Sequence, residues 1–236
     1  GNPDGPTLLI VSVPCVVMNA LYPDIKIDTL RDFAPVINAG TSPSMLLVPA
    51  AAPYKTARDL VEAARAKPGE LTYATSGNGS STHLIMELFK MVSKTNLVHV
   101  PYKGSAPALT DVMGRQVDMT FISTVSVMPF IKAGRVRALA LTGGDRTPVM
   151  PQVPTFNEAG LPGIDVRTWF GILGPAGTPD PVVRRYANEF ARMLKQNEVR
   201  ALLEKQGLDP MIMGPEQFAN MMRAEIARFA KVIKAA

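Results

Sequence analysis

Short apolar runs alternate with amphipathic stretches from one end of the chain to the other. Leu8–Val11, Ala34–Ala39, Met45–Val48, Leu71–Thr75, Leu97–Val100, Val117–Ile122, Val136–Leu141, Val166–Leu173 and Pro210–Met213 read as strands. They are apolar runs without clean alternation, as expected of strands covered on both faces. Helical spacing fills the intervals. Leu60, Val61 and Ala64 share one face of a helix that opens at a capping-box-like Thr56-Ala57-Arg58-Asp59 and stops at Lys67-Pro68-Gly69. A stripe of Leu84, Leu88, Met91 and Val92 marks a helix from Thr82; further helices are predicted to Met113, over Val125–Lys132, Pro179–Lys195 and Glu198–Gln206. The last, Pro215–Ala235, carries Phe218, Met221, Met222, Ile226, Phe229 and Ile233 on one side. Ser105 and Thr178 are the expected N-caps of their helices. Turns are expected at Asp4-Gly5-Pro6 and Tyr22-Pro23-Asp24, and a short helix at Phe156–Ala159 inside a segment rich in Gly and Pro. Strand and helix alternating in this way predict an α/β fold with mainly parallel sheets flanked by helices.

One stretch carries the clearest chemistry. After the strand Leu71–Thr75 comes the loop Ser76-Gly77-Asn78-Gly79-Ser80-Ser81, and then a helix begins. The first N–H groups of a helix lack partners within it, and the helix dipole adds partial positive charge there, so this arrangement suits an anion. Gly77 and Gly79 allow positive φ and close backbone approach, while the serines can cap the helix or donate to a ligand oxygen. The loop is neither a phosphate P-loop nor a dinucleotide fingerprint, and it lacks the Gly-x-Ser-x-Gly of a nucleophile elbow. We read it as a carboxylate grip. A second strand, loop and helix, with Lys103-Gly104-Ser105 between Tyr102 and Ala106, repeats that logic; Lys103 itself reads as a surface lysine. Ser123-Thr124 and Ser12-Val13-Pro14 each follow a strand's carboxyl end, where open α/β sheets place ligands.

Composition narrows the classes. The 236 residues are 47% hydrophobic and 19% charged, enough for one large core or two smaller ones. The net charge of +5 comes from scattered helix-face residues such as Arg184, Arg185, Arg192 and Lys195, with 6% aromatics and no basic-aromatic stripe, so nucleic acid is not an expected partner. Cys15 is the only cysteine and reads as a small buried residue. His83 and His99 are too far from it and from each other for a standard metal spacing, and no cofactor is implied.

The segments Tyr73-Ala74-Thr75-Ser76-Gly77-Asn78-Gly79 with Thr82-His83-Leu84, and Val98-His99-Val100-Pro101-Tyr102-Lys103-Gly104-Ser105-Ala106-Pro107-Ala108, resemble the Bug-type periplasmic receptors of tripartite tricarboxylate transporters. So do Ile131-Lys132-Ala133-Gly134, Arg137-Ala138-Leu139-Ala140, Val153-Pro154-Thr155, Trp169-Phe170-Gly171 and Pro175-Ala176-Gly177-Thr178-Pro179. The resemblance spans essentially the whole chain. It implies a type II periplasmic-binding-protein fold whose two lobes close on a small organic acid, a dicarboxylate or aromatic acid. On that template the chain crosses near Val48–Pro53 and again near Val166–Trp169, so one lobe is 1–49 with 166–236 and the other 50–165. It implies that Ser76–Ser81 clamps one carboxylate, that Gly104, Ser105 and Ser123 line the same cleft, and that Ser12 and Val13 face them. It implies no catalysis, a periplasmic location, membrane permease subunits as partners, and a monomer.

Relatives begin with an extra strand, a ligand loop and a helix before the stretch matched by Pro3-Asp4-Gly5-Pro6-Thr7-Leu8-Leu9, so the full protein is expected to be longer, with half of the first lobe's carboxylate clamp in the preceding segment. Two alternatives stay open on the residues alone. One is a serine hydrolase using a serine of Ser76–Ser81 with His83 or His99; the other is the ligand-sensing domain of a regulator, although no DNA-binding segment is visible.

Overall fold

The computed structural model describes residues 7–22 and 24–235; the turns expected at Asp4-Gly5-Pro6 and at Pro23 lie outside them. The chain divides into two compact units, one running to Ser42 and resuming over Thr168–Lys234, the other Pro43–Arg167. The first boundary falls inside a strand, upstream of the expected crossing at Val48–Pro53.

In the first unit, β1 (Leu9–Val11) pairs antiparallel with β7 (Arg167–Pro175), Leu9 opposite Leu173 and Val11 opposite Gly171. β7 in turn neighbours β2 (Phe33–Pro49). Helices α1 (Val13–Leu21), α2 (Thr29–Asp32), α7 (Asp180–Leu194), α8 (Asn197–Lys205) and α9 (Pro215–Ala235) belong to this unit. Val36 and Ile37 of β2 pack on Val183, Ala187 and Leu194 of α7. Phe218 of α9 is fully buried, edge-on to Trp169 with ring centroids 5.4 Å apart. Leu9 and Ile10 remain exposed, at 44% and 76%.

Several expected elements change here. Val13–Leu21 is helical because Pro14 sits in the first turn, where its missing N–H costs nothing. Pro210–Met213 makes no strand: Asp209 and Met213 form only isolated bridges to Thr41 and Asn38. Pro179, not Thr178, is the N-cap of α7, and the Thr178 hydroxyl donates instead to the Pro175 carbonyl at 2.8 Å. Cys15 is only partly buried.

The second unit is the one that positions the candidate loop. Its helices are α3 (Ala57–Ala66), α4 (Ser81–Ser93), α5 (Ser105–Met113) and α6 (Thr124–Lys132). Its further strands are β3 (Thr72–Thr75), β4 (Val98–Pro101), β5 (Met119–Ser123) and β6 (Val136–Leu141). β3 lies between β4 and β5 and pairs parallel with both, Tyr73 opposite His99 and Met119. β2 pairs antiparallel with β5 on one side and β6 on the other. The α/β class and the helix-flanked sheet therefore stand, with parallel pairing concentrated around β3. The segment Phe156–Ala159 is turn, not helix.

The parallel pairs follow from the connections. β3 returns to β4 through α4, and β4 returns to β5 through α5, so each strand needs a helical crossover and all three point the same way. Tyr73, Ala74, Met119 and Phe121 are fully buried, and Phe89, Phe121 and Phe156 meet with ring centroids 5.8–6.0 Å apart. Thr56 and Asp59 close the capping box on α3 as expected. The stripe on α4 is narrower than expected, since Met91 is 46% exposed.

Candidate functional site

Parallel strands β3, β4 and β5 end side by side, and a helix begins after each. Ser76, Gly77, Asn78, Gly79, Ser80 and Ser81 join β3 to α4; Gly104 and Ser105 open α5 after β4; Ser123 ends β5 and caps α6. The loops touch: the Gly104 N–H donates to the Ser76 carbonyl at 3.2 Å, and the Tyr102 N–H to the Thr75 carbonyl at 3.0 Å. Of the predicted residues, those from Ser76 to Ser81 and Gly104, Ser105 and Ser123 thus share one edge of one sheet. Ser12 and Val13 belong to the other unit, where Ser12 is the N-cap residue of α1 and Val13 is buried at 1% exposure.

Three helix starts on one edge concentrate positive dipole ends and first-turn N–H donors. Glycine sets the backbone conformation of both loops. Gly77 has φ 127° and Gly104 φ 117°, values disfavoured by any side chain, and a Cβ on Gly77 would stand 3.3 Å from the Tyr102 carbonyl oxygen. As Gly104 is the α5 cap and has no side chain, Ser105 is the first helical residue rather than the expected N-cap.

Hydroxyls knit the first loop together. The Ser80 hydroxyl donates to the Gly77 carbonyl at 2.7 Å and lies 2.9 Å from the Thr82 hydroxyl, which also accepts from the Ser76 N–H at 2.9 Å. Ser80 further accepts from the His83 N–H as the α4 cap. Ser76 and Ser80 therefore shape the loop, while the first-turn amides of Ser81 and Thr82 have no acceptor that helix geometry supplies.

Beneath the loop is a polar layer that motif spacing did not reveal as a unit. The rings of Tyr73, His99 and His83 stack in series, with centroids 4.8 Å and 4.3 Å apart. The Gly79 N–H donates to His83 Nδ1 at 3.1 Å, which places the imidazole proton on Nε2, 3.7 Å from Glu87 Oε1. His99 Nε2 and the Thr75 hydroxyl share a 2.7 Å hydrogen bond. Glu87, 8% exposed, accepts from the Tyr73 hydroxyl and from Lys90 Nζ at 2.8 and 2.9 Å. The one signal that could have found this layer is register, since Tyr73 stands opposite His99 once β3 and β4 pair in parallel.

Burial sets the charge states. It lowers the His99 pKa to about 4, helped by the neighbouring His83, and lowers that of His83. Burial pushes Glu87 up, but the hydrogen bonds from Lys90 and Tyr73 outweigh it and hold the carboxyl below its usual range. The Tyr73 hydroxyl is pushed far up by burial and by Glu87. At neutral pH the layer thus holds two neutral imidazoles and one paired carboxylate. The imidazoles bond to the Gly79 N–H and the Thr75 hydroxyl rather than to a serine hydroxyl of the loop, which is not the pairing a serine hydrolase needs. Among the described residues no three His, Cys, Asp or Glu side chains gather as a metal site, and no helix is long and apolar enough to cross a membrane.

Known proteins share this chain's sequence and fold. The family model described as "Tripartite tricarboxylate transporter family receptor" matches residues 1–236. A protein encoded in the tcbD-tcbE intergenic region of a Pseudomonas species is 41% identical over 98% of this chain and 69% of its own. Among solved structures, R. palustris Rpa4515 with adipate is 35% identical with a TM-score of 0.91, covering 99% of this chain and 79% of that one. MatC from Rhodopseudomonas palustris with bound malate is 30% identical with a TM-score of 0.86, covering 99% and 81%. The chain belongs to the receptor family of tripartite tricarboxylate transporters, whose members are solute-binding proteins and not enzymes.

Proposed function

We propose that this protein is a periplasmic receptor for a small dicarboxylate, which it delivers to the membrane permease subunits of its transporter, acting as a monomer. One carboxylate of the ligand sits at the carboxyl edge of β4, β3 and β5, against the first-turn amides of Ser81 and Thr82 and beside Gly104, Ser105 and Ser123. The observation that carries this reading is the convergence of three helix starts on that edge, beside loops whose Gly77 and Gly104 adopt positive φ. The adipate and malate bound by two relatives support a dicarboxylate as the class. Ser12 and Val13 are proposed as ligand contacts from their own unit.

Calorimetric titration with adipate, malate and other dicarboxylates, against monocarboxylates and amino acids, tests it. A saturable response to a dicarboxylate is expected. Ser81→Pro then removes a single donor: proline is accommodated at a first helical position, and the preceding Ser80 is already extended at φ −65° and ψ 161°. Loss of one charge-assisted hydrogen bond should weaken binding about tenfold or more while the fold persists. Equal affinity in Ser81→Pro, or no response to any dicarboxylate, overturns the reading.

A further inference from the structure

We propose that His83 is a positioning residue for the anion loop, holding the Gly79 N–H through its neutral imidazole so that the Ser81 and Thr82 amides are aimed before the ligand arrives. The inference rests on the binding edge proposed above and adds the residue that sets it.

Gly79 is the pivot of the loop. It has φ 72° and stands two residues before the first helical amide, so its orientation sets that of Ser80, Ser81 and Thr82. Its N–H is taken up by His83 Nδ1 at 3.1 Å. An amide used in this way cannot compete for the ligand, and the bond fixes the turn from below. His83 in turn cannot tilt freely: its ring stacks 4.3 Å from His99, whose far face stacks on Tyr73. Its Nε2–H faces Glu87 Oε1, and Glu87 is itself held by Tyr73 and Lys90.

The device depends on which atom bears the proton. A neutral imidazole with its proton on Nε2 offers Nδ1 as an acceptor; a doubly protonated ring offers two donors and confronts the Gly79 N–H with another N–H. Acid should therefore release the loop. The groups facing His83 all bear on that transition: Gly79 from the loop, His99 from β4, Tyr73 from β3 through His99, and Glu87 and Lys90 from α4. Burial and Lys90 oppose protonation of His83, and Glu87 favours it.

Two variants separate the acceptor from the ring. His83→Phe keeps a stacking ring and removes the acceptor; His83→Asn removes the ring but places Oδ1 near the position of Nδ1. Amide exchange of Gly79 in the ligand-free protein, followed by NMR, reads the positioning directly. Adipate titration reads its consequence. In His83→Phe the exchange of Gly79 should quicken about fivefold to tenfold and adipate affinity fall by a similar factor; His83→Asn should restore both to within about threefold. In the unmodified protein the Gly79 amide shift should move with the same midpoint as the His83 ring signals. Gly79 protected equally in His83→Phe, equal losses in both variants, or an amide shift that ignores the His83 titration would each overturn the proposal. Adipate failing to bind the unmodified protein, with Gly79 protected as described, would instead count against the dicarboxylate reading and leave the positioning role supported.

Discussion

Acid should destabilise this protein through its two histidines. Burial holds the His99 pKa at about 4 and lowers that of His83, against an ordinary histidine value of 6.5. Between those limits the unfolded chain binds more protons than the folded one, so stability falls as pH falls through the window from 6.5 to about 4. Taken at full strength, the His99 difference amounts to about 2.5 kcal/mol between pH 7 and pH 4.5. The ring is only partly buried, and solvent screening brings the expected loss to about 1 kcal/mol. His83 adds to it in the same direction, and Glu87, whose carboxyl is held low, joins below pH 4.5. Urea unfolding followed by far-UV circular dichroism at pH 7, 6, 5 and 4.5 should show the midpoint drop by about 0.5 M, given slopes of about 1–3 kcal/mol per molar. The chain has two histidines, so the double variant His83→Phe/His99→Phe contains none and keeps aromatic rings at both places. Its midpoint should be flat from pH 7 to about 5. A flat profile in the unmodified protein refutes the reasoning, as does an undiminished slope in the double variant.

Two substitutions test the packing of each unit. In Gly171→Ala the new Cβ would stand 2.1 Å from Cζ of Phe218, a fully buried ring wedged against Trp169, so a loss of about 2–3 kcal/mol is expected in thermal melts. Adding Phe218→Leu should recover part of it, and an unchanged melting temperature in Gly171→Ala alone would contradict the geometry. Glu87→Leu leaves the Tyr73 hydroxyl and the Lys90 ammonium without their shared partner, and should cost about 3 kcal/mol; Tyr73→Phe, which leaves the Lys90 pair intact, should cost about 1 kcal/mol. Equal costs for the two would show that the carboxylate is not the centre of that network.

The features that could be read from the chain are those set by near neighbours. The loop Ser76–Ser81 lies between a strand and a helix as its glycines and serines suggest, Thr56 and Asp59 close their box, and the last helix keeps its expected bounds. What escaped depends on distant partners. Gly40 to Ser44 reads as a polar break, so Ala34–Ala39 and Met45–Val48 look like two strands; they are one, β2. Thr41, Ser42 and Ser44 are buried in it, and main-chain N–H groups of this stretch find acceptors far along the chain. The Thr41 N–H donates to the Asp209 carbonyl at 2.8 Å, and the Ser44 N–H to the Thr142 hydroxyl at 2.9 Å. The same holds for the layer under the loop. Spacing arguments test His83 and His99 against metal or catalytic patterns, yet the two meet as stacked rings through β3–β4 pairing and the first turn of α4.

That layer bears on how a loop of glycine and serine would serve as the proposed carboxylate site. Free, such a loop would have many conformations, and ordering each residue on binding would cost about 1–2 kcal/mol of the ligand's affinity. Here the ordering is already done. Ser76, Ser80 and Thr82 tie their hydroxyls together, Gly104 binds the Ser76 carbonyl, and Gly79 is anchored to His83. These bonds use up some of the loop's own donors, and what is left for an anion is a small fixed set at the helix starts. Affinity for any carboxylate then depends on residues below the loop that the ligand does not touch, while the choice among acids depends on what lies beyond the first carboxylate. Changes at Gly79, His83 or Thr82 should therefore weaken all dicarboxylates alike. A change that re-ranks adipate against malate must instead lie outside this layer.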